Sequence, residues 1–274
     1  MKVATKPNGI EMDKRKVSVI ALFTLLCVSA AAYWLYSTVL SNPKDNLPQF
    51  MSARYGVLDP ADNSWRKPTP AKADAAEPAG FKICADNDST TDNKVFLLAV
   101  CSVPGKAGGS HSDSGTIELY AIDRSKPQFT IVSALTMEGF GSFGNPGTVK
   151  IIQLGTAFFG FQIEGGGVWQ GVSIGTTVVY VPYKDTFKEA LVIRSAYNDE
   201  GRLDCENCAD QITELERTLE IKPDGQADMY PIQINEKSKH LGKQTSNAYW
   251  ARFDKDSWRY IYPKELERES GNQE

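Results

Sequence analysis

Val95-Phe96-Leu97-Leu98-Ala99-Val100-Cys101-Ser102-Val103 and Thr116-Ile117-Glu118-Leu119-Tyr120-Ala121-Ile122 are the two runs that decide the fold. The first is nearly continuous in apolar side chains and predicts a central strand. The second alternates imperfectly between apolar and polar, as a half-buried strand does. Both are rich in the β-branched and aromatic residues that suit a pleated, partly buried surface.

Working outward, the same texture recurs at Phe81–Ala85, Phe129–Met137, Val149–Leu154, Ala157–Ile163, Gly171–Val181, Ala190–Arg194, Thr218–Lys222, Tyr230–Ile234, Tyr249–Phe253 and Trp258–Tyr262. Turn chemistry separates these runs: the stretches 86–93, 105–115 and 139–147, then Gly165-Gly166-Gly167, then Pro223-Asp224-Gly225. Short strands at close spacing predict an all-β domain, mainly antiparallel, as a sandwich, a barrel or a propeller-like meander. The best helix candidate is Ala209–Leu219, where Ile212, Leu215 and Leu219 share a helical face; continuation as strand is the competing reading.

Upstream the composition changes twice. Residues 41–80 hold Pro43, Pro48, Pro60, Pro68, Pro70 and Pro78, six of the fourteen prolines, among many alanines and aspartates. Proline fixes φ and removes an amide donor, so the stretch predicts an extended tether with at most a short ordered piece near Phe50–Leu58. Before it, Val17–Leu40 is 24 residues without a charge. As a helix it would span roughly 36 Å, enough for a hydrocarbon core of about 30 Å with some tilt. Lys14, Arg15 and Lys16 precede it, which predicts a single transmembrane helix with residues 1–16 in the cytoplasm. Tyr33, Trp34 and Tyr36 suit the outer headgroup zone. A signal peptide cleaved after Ala31 or Ala32 is the alternative, and it too exports the rest. The expected organisation is therefore an anchor at 17–40, a linker at 41–80, an extracytoplasmic (periplasmic) domain at 81–264, and a frayed tail at 265–274.

The net charge is −4, and residues 1–16 carry +3, so the exported part is acidic at −7. With no basic stripe interleaved with aromatics, nucleic acid is excluded as a partner class. Beyond Cys27 the cysteines number four: Cys84, Cys101, Cys205 and Cys208. In an exported domain they predict disulfides, Cys84–Cys101 between neighbouring strands and Cys205–Cys208 pinning a loop. A redox role for the C-x-x-C pair is disfavoured by Asp204 and Glu206, whose charges raise thiol pKa values.

Other motifs lose to plainer readings. Only His111 and His240 are present, so a histidine-based metal centre is not expected, and neither is a cofactor. His111 shares the loop 108–115 with Asp113 and several serines, but triad members converge from separate elements. Gly139-Phe140-Gly141-Ser142-Phe143-Gly144 matches a dinucleotide fingerprint by letter, yet a strand follows it where a helix is required. Asp86, Asp88, Thr90 and Asp92 alternate like calcium ligands but lack the turn glycine and the distal glutamate. The surface left standing is Glu164, Gly165, Gly166, Gly167, Trp169 and Gln170: a glycine turn held by some geometric need, beside an indole able to anchor a partner or, in the plainer reading, to fill the core. The sequence thus predicts a non-catalytic, membrane-tethered protein-binding domain, such as an inhibitor, an immunity protein against an envelope-targeting toxin, or an accessory subunit. A carboxylate-based glycan hydrolase using Glu164 and Asp113, and a structural envelope protein, are the alternatives.

Overall fold

The computed structural model describes residues 43–68, 80–87, 95–105, 109–123, 129–203, 208, 210–225 and 227–266. The basic N-terminus, the apolar segment Val17–Leu40, Cys205 and residues 267–274 lie outside them. Among the described residues no helix is long and apolar enough to cross a membrane.

The chain is all-β and antiparallel throughout its two sheets. The first is a six-stranded meander in sequence order: β1 (Val57–Asp59), β2 (Ser64–Arg66), β3 (Gly80–Asp86), β4 (Val95–Val103), β5 (Thr116–Asp123) and β6 (Thr130–Glu138). The second is an eight-stranded meander: β7 (Thr148–Gly155), β8 (Phe158–Trp169), β9 (Val172–Tyr183), β10 (Thr186–Asn198), β11 (Glu214–Ile221), β12 (Ile232–His240), β13 (Lys243–Asp254) and β14 (Arg259–Ile261). Each of the twelve runs read as strands falls on one of β3 to β14. The candidate helix at Ala209–Leu219 is instead occupied largely by β11, which pairs with β12 from Glu214↔Lys239 to Ile221↔Ile232.

Strand alternation divides the burial between three cores. Leu97, Ala99, Ile117 and Leu119 point from the first sheet toward Phe161, Ile163, Val178 and Phe187 of the second, forming the sandwich interior. On the opposite face of β4 and β5, Phe96, Leu98, Val100, Tyr120 and Ile122 form another cluster. This is why the first run reads as continuous: β4 is buried on both sides. The second sheet curls, so that Val179, Val181, Leu191 and Ile193 meet Ile232, Ile234, Ala251 and Tyr260. The hydroxyl of Tyr262 closes the curl by donating to the Val192 carbonyl at 3.0 Å.

The expected linker needs correcting. Residues 43–55 form α1 (Pro43–Tyr55), and Leu47, Met51 and Tyr55 are buried against the outer face of the first sheet. Leu47, Phe50, Met51 and Tyr55 in fact stand on one helical face. Pro43 begins the helix, where a missing N–H costs nothing, and Pro48 is carried inside it. β1 and β2 follow and add Trp65 to the same core. A polar lock fixes the helix end: the Tyr55 hydroxyl donates to Glu118 Oε2 at 2.7 Å and lies 2.8 Å from the Tyr120 hydroxyl. Tyr120 also donates to Glu118, and Arg54 Nε reaches the same carboxylate at 3.2 Å. Burial, then hydrogen bonding, pushes both phenols well above the ordinary tyrosine range. The tail is corrected by one turn, since Leu266 is buried in the C-terminal core.

Cys84 and Cys101 form the expected disulfide between β3 and β4, with Cα atoms 5.7 Å apart. Cys208 is also disulfide-bonded, while its expected partner Cys205 lies outside the described residues.

Candidate functional site

The glycine triplet is not a turn. Gly165, Gly166 and Gly167 lie inside β8, paired with Thr176, Gly175 and Ile174 of β9. The turn comes three residues later, at Gln170 and Gly171, both left-handed with φ of 48° and 81°. That is the two-residue hairpin geometry whose twist matches the flanking strands. The signal was present as a polar residue and a glycine between two apolar runs, but the three glycines drew the reading upstream.

Close approach explains the triplet. A Cβ on Gly165 would stand 2.5 Å from the carbonyl oxygen of Phe140, whose loop lies across the strand. On Gly166 it would stand 2.1 Å from the carbonyl oxygen of Ile174 in the adjoining strand. On Gly167 it would meet the indole of Trp169 at 2.6 Å. The first two obstacles are backbone; the third is a side chain that can move.

Trp169 is therefore not a core residue. Its ring lies over Gly167 and it remains 52% exposed, while Val168 is exposed on the opposite face of the same strand. The hairpin tip is braced from one side, because Gly171 packs against the backbone of Gly201 in the short helical turn Glu200–Arg202. Glu164 lies five residues below the tip. Lys150 Nζ sits 3.3 Å from both its oxygens, and Gln162 also donates to it.

The loops 109–115 and 139–147 pack together beside this strand. The Phe143 amide donates to the Ser110 carbonyl at 3.1 Å, and the Gly144 amide to the Asp113 carbonyl at 2.8 Å. Phe143 is left exposed at a φ of 56°, with His111 edge-on to its ring at 5.1 Å. The Asp113 carboxylate accepts the Ser110 amide at 2.6 Å, and that hydrogen bonding holds its pKa below the usual range. An ionised, hydrogen-bonded Asp113 closes its own turn; it holds no proton to donate at neutral pH.

Register also brings together residues that sequence reading passed over. One face of the second sheet carries the cross-strand pairs Glu214↔Lys239 and Glu216↔Lys237, flanked by Asn198 of β10 and Gln244 and Ser246 of β13. They line a groove of about 660 Å³. Only strand pairing places these residues side by side, so no linear motif announces them. Among the described residues no group of three or more histidine, cysteine or acidic side chains is arranged to hold a metal ion.

Comparison with family models, with curated proteins and with solved structures finds no match to the chain.

Proposed function

We propose that the chain is a membrane-tethered, extracytoplasmic protein-binding domain that acts by contact and not by catalysis, in the manner of an inhibitor or immunity protein. The observation that carries this reading is the β8–β9 hairpin tip, which presents Trp169 and Val168 to solvent on its two faces. Large exposed aromatics on a braced element are the side chains that dominate interfaces.

The direction of the helix adds support. Phe50, mid-helix, stacks on Phe129 at the start of β6, while Tyr55 at the helix end meets Phe81 and Glu118 at the other end of the sheet. The Pro43 end of α1 thus points toward one pole and the hairpin tip toward the other. β8 alone has twelve residues, or about 40 Å at strand rise. With Val17–Leu40 in a bilayer, α1 would begin three residues beyond it. The domain would then stand on the membrane with Trp169 at its far pole. A reporter active only outside the cytoplasm, fused after Glu274, is expected to be active, and detergent is expected to be needed for extraction; a silent reporter would reverse the topology.

A photoreactive amino acid at position 169 should cross-link the partner in intact cells. Trp169→Ala should then weaken that partner's binding at least about thirtyfold, since truncating an interface anchor often costs over ~2 kcal/mol. Its melting temperature should hardly move, because half of the ring is already in water. Gly167→Ala is the companion variant: it displaces the indole without touching backbone and should weaken the same binding. A Trp169→Ala variant that loses ~3–5 kcal/mol of stability would show a buried role and remove the site.

A further inference from the structure

The pairing of β11, β12 and β13 runs without a bulge, so alternate residues keep to one face along its whole length. The face opposite the Leu219 and Ile234 core is built as rungs, one residue from each strand. The two upper rungs hold Glu214, Glu216 and the lysines across from them. Below come Thr218, Asn235 and Ala248, and then Glu220, Gln233 and Trp250. The groove of about 660 Å³ lies over the upper rungs. A second depression of about 290 Å³ continues it downward, sharing Glu216, Lys237 and Ser246 with the first and reaching Ala248. One rung further stands Trp250, 46% exposed, whose indole makes no ring contact or hydrogen bond among the described residues. Polarity alone is what a solvated sheet face requires. Two joined depressions that end on an open indole are more than solvation requires.

We propose that this face binds a linear, uncharged glycan, laid along the strands with one sugar ring on Trp250. The lining selects that chemistry. Each carboxylate on the rungs has a lysine beside it: Lys239 opposite Glu214, Lys237 opposite Glu216, and Lys222 hydrogen-bonded to Glu220. The rungs are thus charge-balanced and offer no net attraction to an acidic or a basic ligand. Besides Ala248 and Trp250 they carry no apolar side chain, so an apolar ligand would find little surface to bury. What they offer is a mixture: lysines donate, glutamates accept, and Asn235, Gln233 and Gln244 do both. Asn235 also donates to Glu220, which fixes its carboxamide in place. Sugar hydroxyls likewise donate and accept without carrying charge. The C–H face of a pyranose ring supplies the one apolar patch that an exposed indole can take up. From Gln244 to Trp250 the strand advances about 20 Å, room for several sugar rings end to end. A β-1,4-linked chain with equatorial hydroxyls is flat and extended enough to follow that track, whereas an α-1,4-linked chain curves away from it. The face is separate from the hairpin tip and adds a second class of ligand to the protein-binding reading, on which it does not depend.

The probes are cellohexaose and its acetamido-bearing counterpart chitohexaose, titrated by calorimetry into the full-length chain in a detergent without a sugar headgroup. At least one should bind with a Kd below about 1 mM, and maltohexaose at least about tenfold more weakly. Trp250→Ala should weaken binding at least about tenfold, with little change in melting temperature because half of the indole is already in water. Ser246→Tyr, which fills the junction of the two depressions, should weaken it comparably. Because the ligand is uncharged, raising salt from about 50 to about 500 mM should leave Kd within about twofold. Trp169→Ala should bind the sugars as the parent does, so that a failure of the hairpin-tip site and a failure of this face read out separately. No binding of either sugar at millimolar concentration would overturn the proposal. So would unchanged affinity in Trp250→Ala, equal binding of maltohexaose, or a steep loss of affinity with salt, which would assign the face to a charged ligand.

Discussion

A chain truncated to begin at Gly56 is expected to lose its cooperative unfolding transition, or to melt at least about 10–20 °C below a chain beginning at Ser41. The truncation removes Leu47, Met51 and Tyr55 from the outer core. At roughly 1.5–3 kcal/mol for each fully buried side chain, the loss is roughly 5–9 kcal/mol. Whole domains are stable by only about 5–15 kcal/mol, and for a domain of this size each kcal/mol moves the midpoint by roughly 2–4 °C. The exposed remainder is worse than a simple loss, because Phe96, Leu98, Val100, Tyr120 and Ile122 would form an apolar sheet face open to water. Removal of Tyr55 also leaves Tyr120 and Glu118 without one member of their polar network. Calorimetry on the two chains is the test. Equal midpoints would return residues 43–55 to the status of a tether and make the helix–sheet contact incidental.

That expectation marks where sequence reading and structure part. β4 and β5 were legible because burial on both faces writes itself as an unbroken apolar run, and burial on one face as alternation. α1 was not, because Pro43 and Pro48 outweigh four apolar residues when each is judged by local propensity; the sheet beneath the helix decides, and it is distant in sequence. β11 was ambiguous for a different reason. Leu215 and Leu219 satisfy either period, and the residue that should settle the alternation, Arg217, is charged yet buried. The glycine triplet obeyed its physics, close approach, but close approach occurs within strands as well as at turns. Trp169 carried no sign of its exposure, since an indole reads alike in a core and on a surface. The groove belongs to pairing, which a linear scan does not see.

Arg217 itself supplies the other large expected effect. Its side chain is 1% exposed and faces Glu236, 8% exposed, directly across β11 and β12. Arg217 Nε and Nη2 donate to Glu236 Oε2 at 2.8 and 2.7 Å, and Nη1 reaches the Arg194 carbonyl at 3.3 Å. Asn247 and Tyr249 donate to the other carboxylate oxygen at 3.0 and 3.3 Å. Replacing one partner strands a buried charge, so Arg217→Met should cost about 3–5 kcal/mol at neutral pH. Adding Glu236→Leu should recover most of that loss, because an apolar pair needs no compensation there. The pH dependence gives a sharper check. Burial pushes the Glu236 carboxyl up, but the Asn247 hydrogen bond and the hydrogen bonds and charge of Arg217 outweigh it, and the pKa lies below the ordinary glutamate range. A depressed folded-state pKa adds stability above the unfolded value, about 4.3 for glutamate, and that contribution drains away as pH falls through the folded value. Without Arg217, its hydrogen bonds and its charge no longer oppose burial, so the carboxyl is depressed less and protonating it costs the variant less stability than it costs the parent. The gap between parent and Arg217→Met should therefore narrow steadily as pH drops from 6 toward 3 in urea titrations. A gap that stays constant across that range would mean the pair contributes by packing alone, and its charges would have no part in holding β11 to β12.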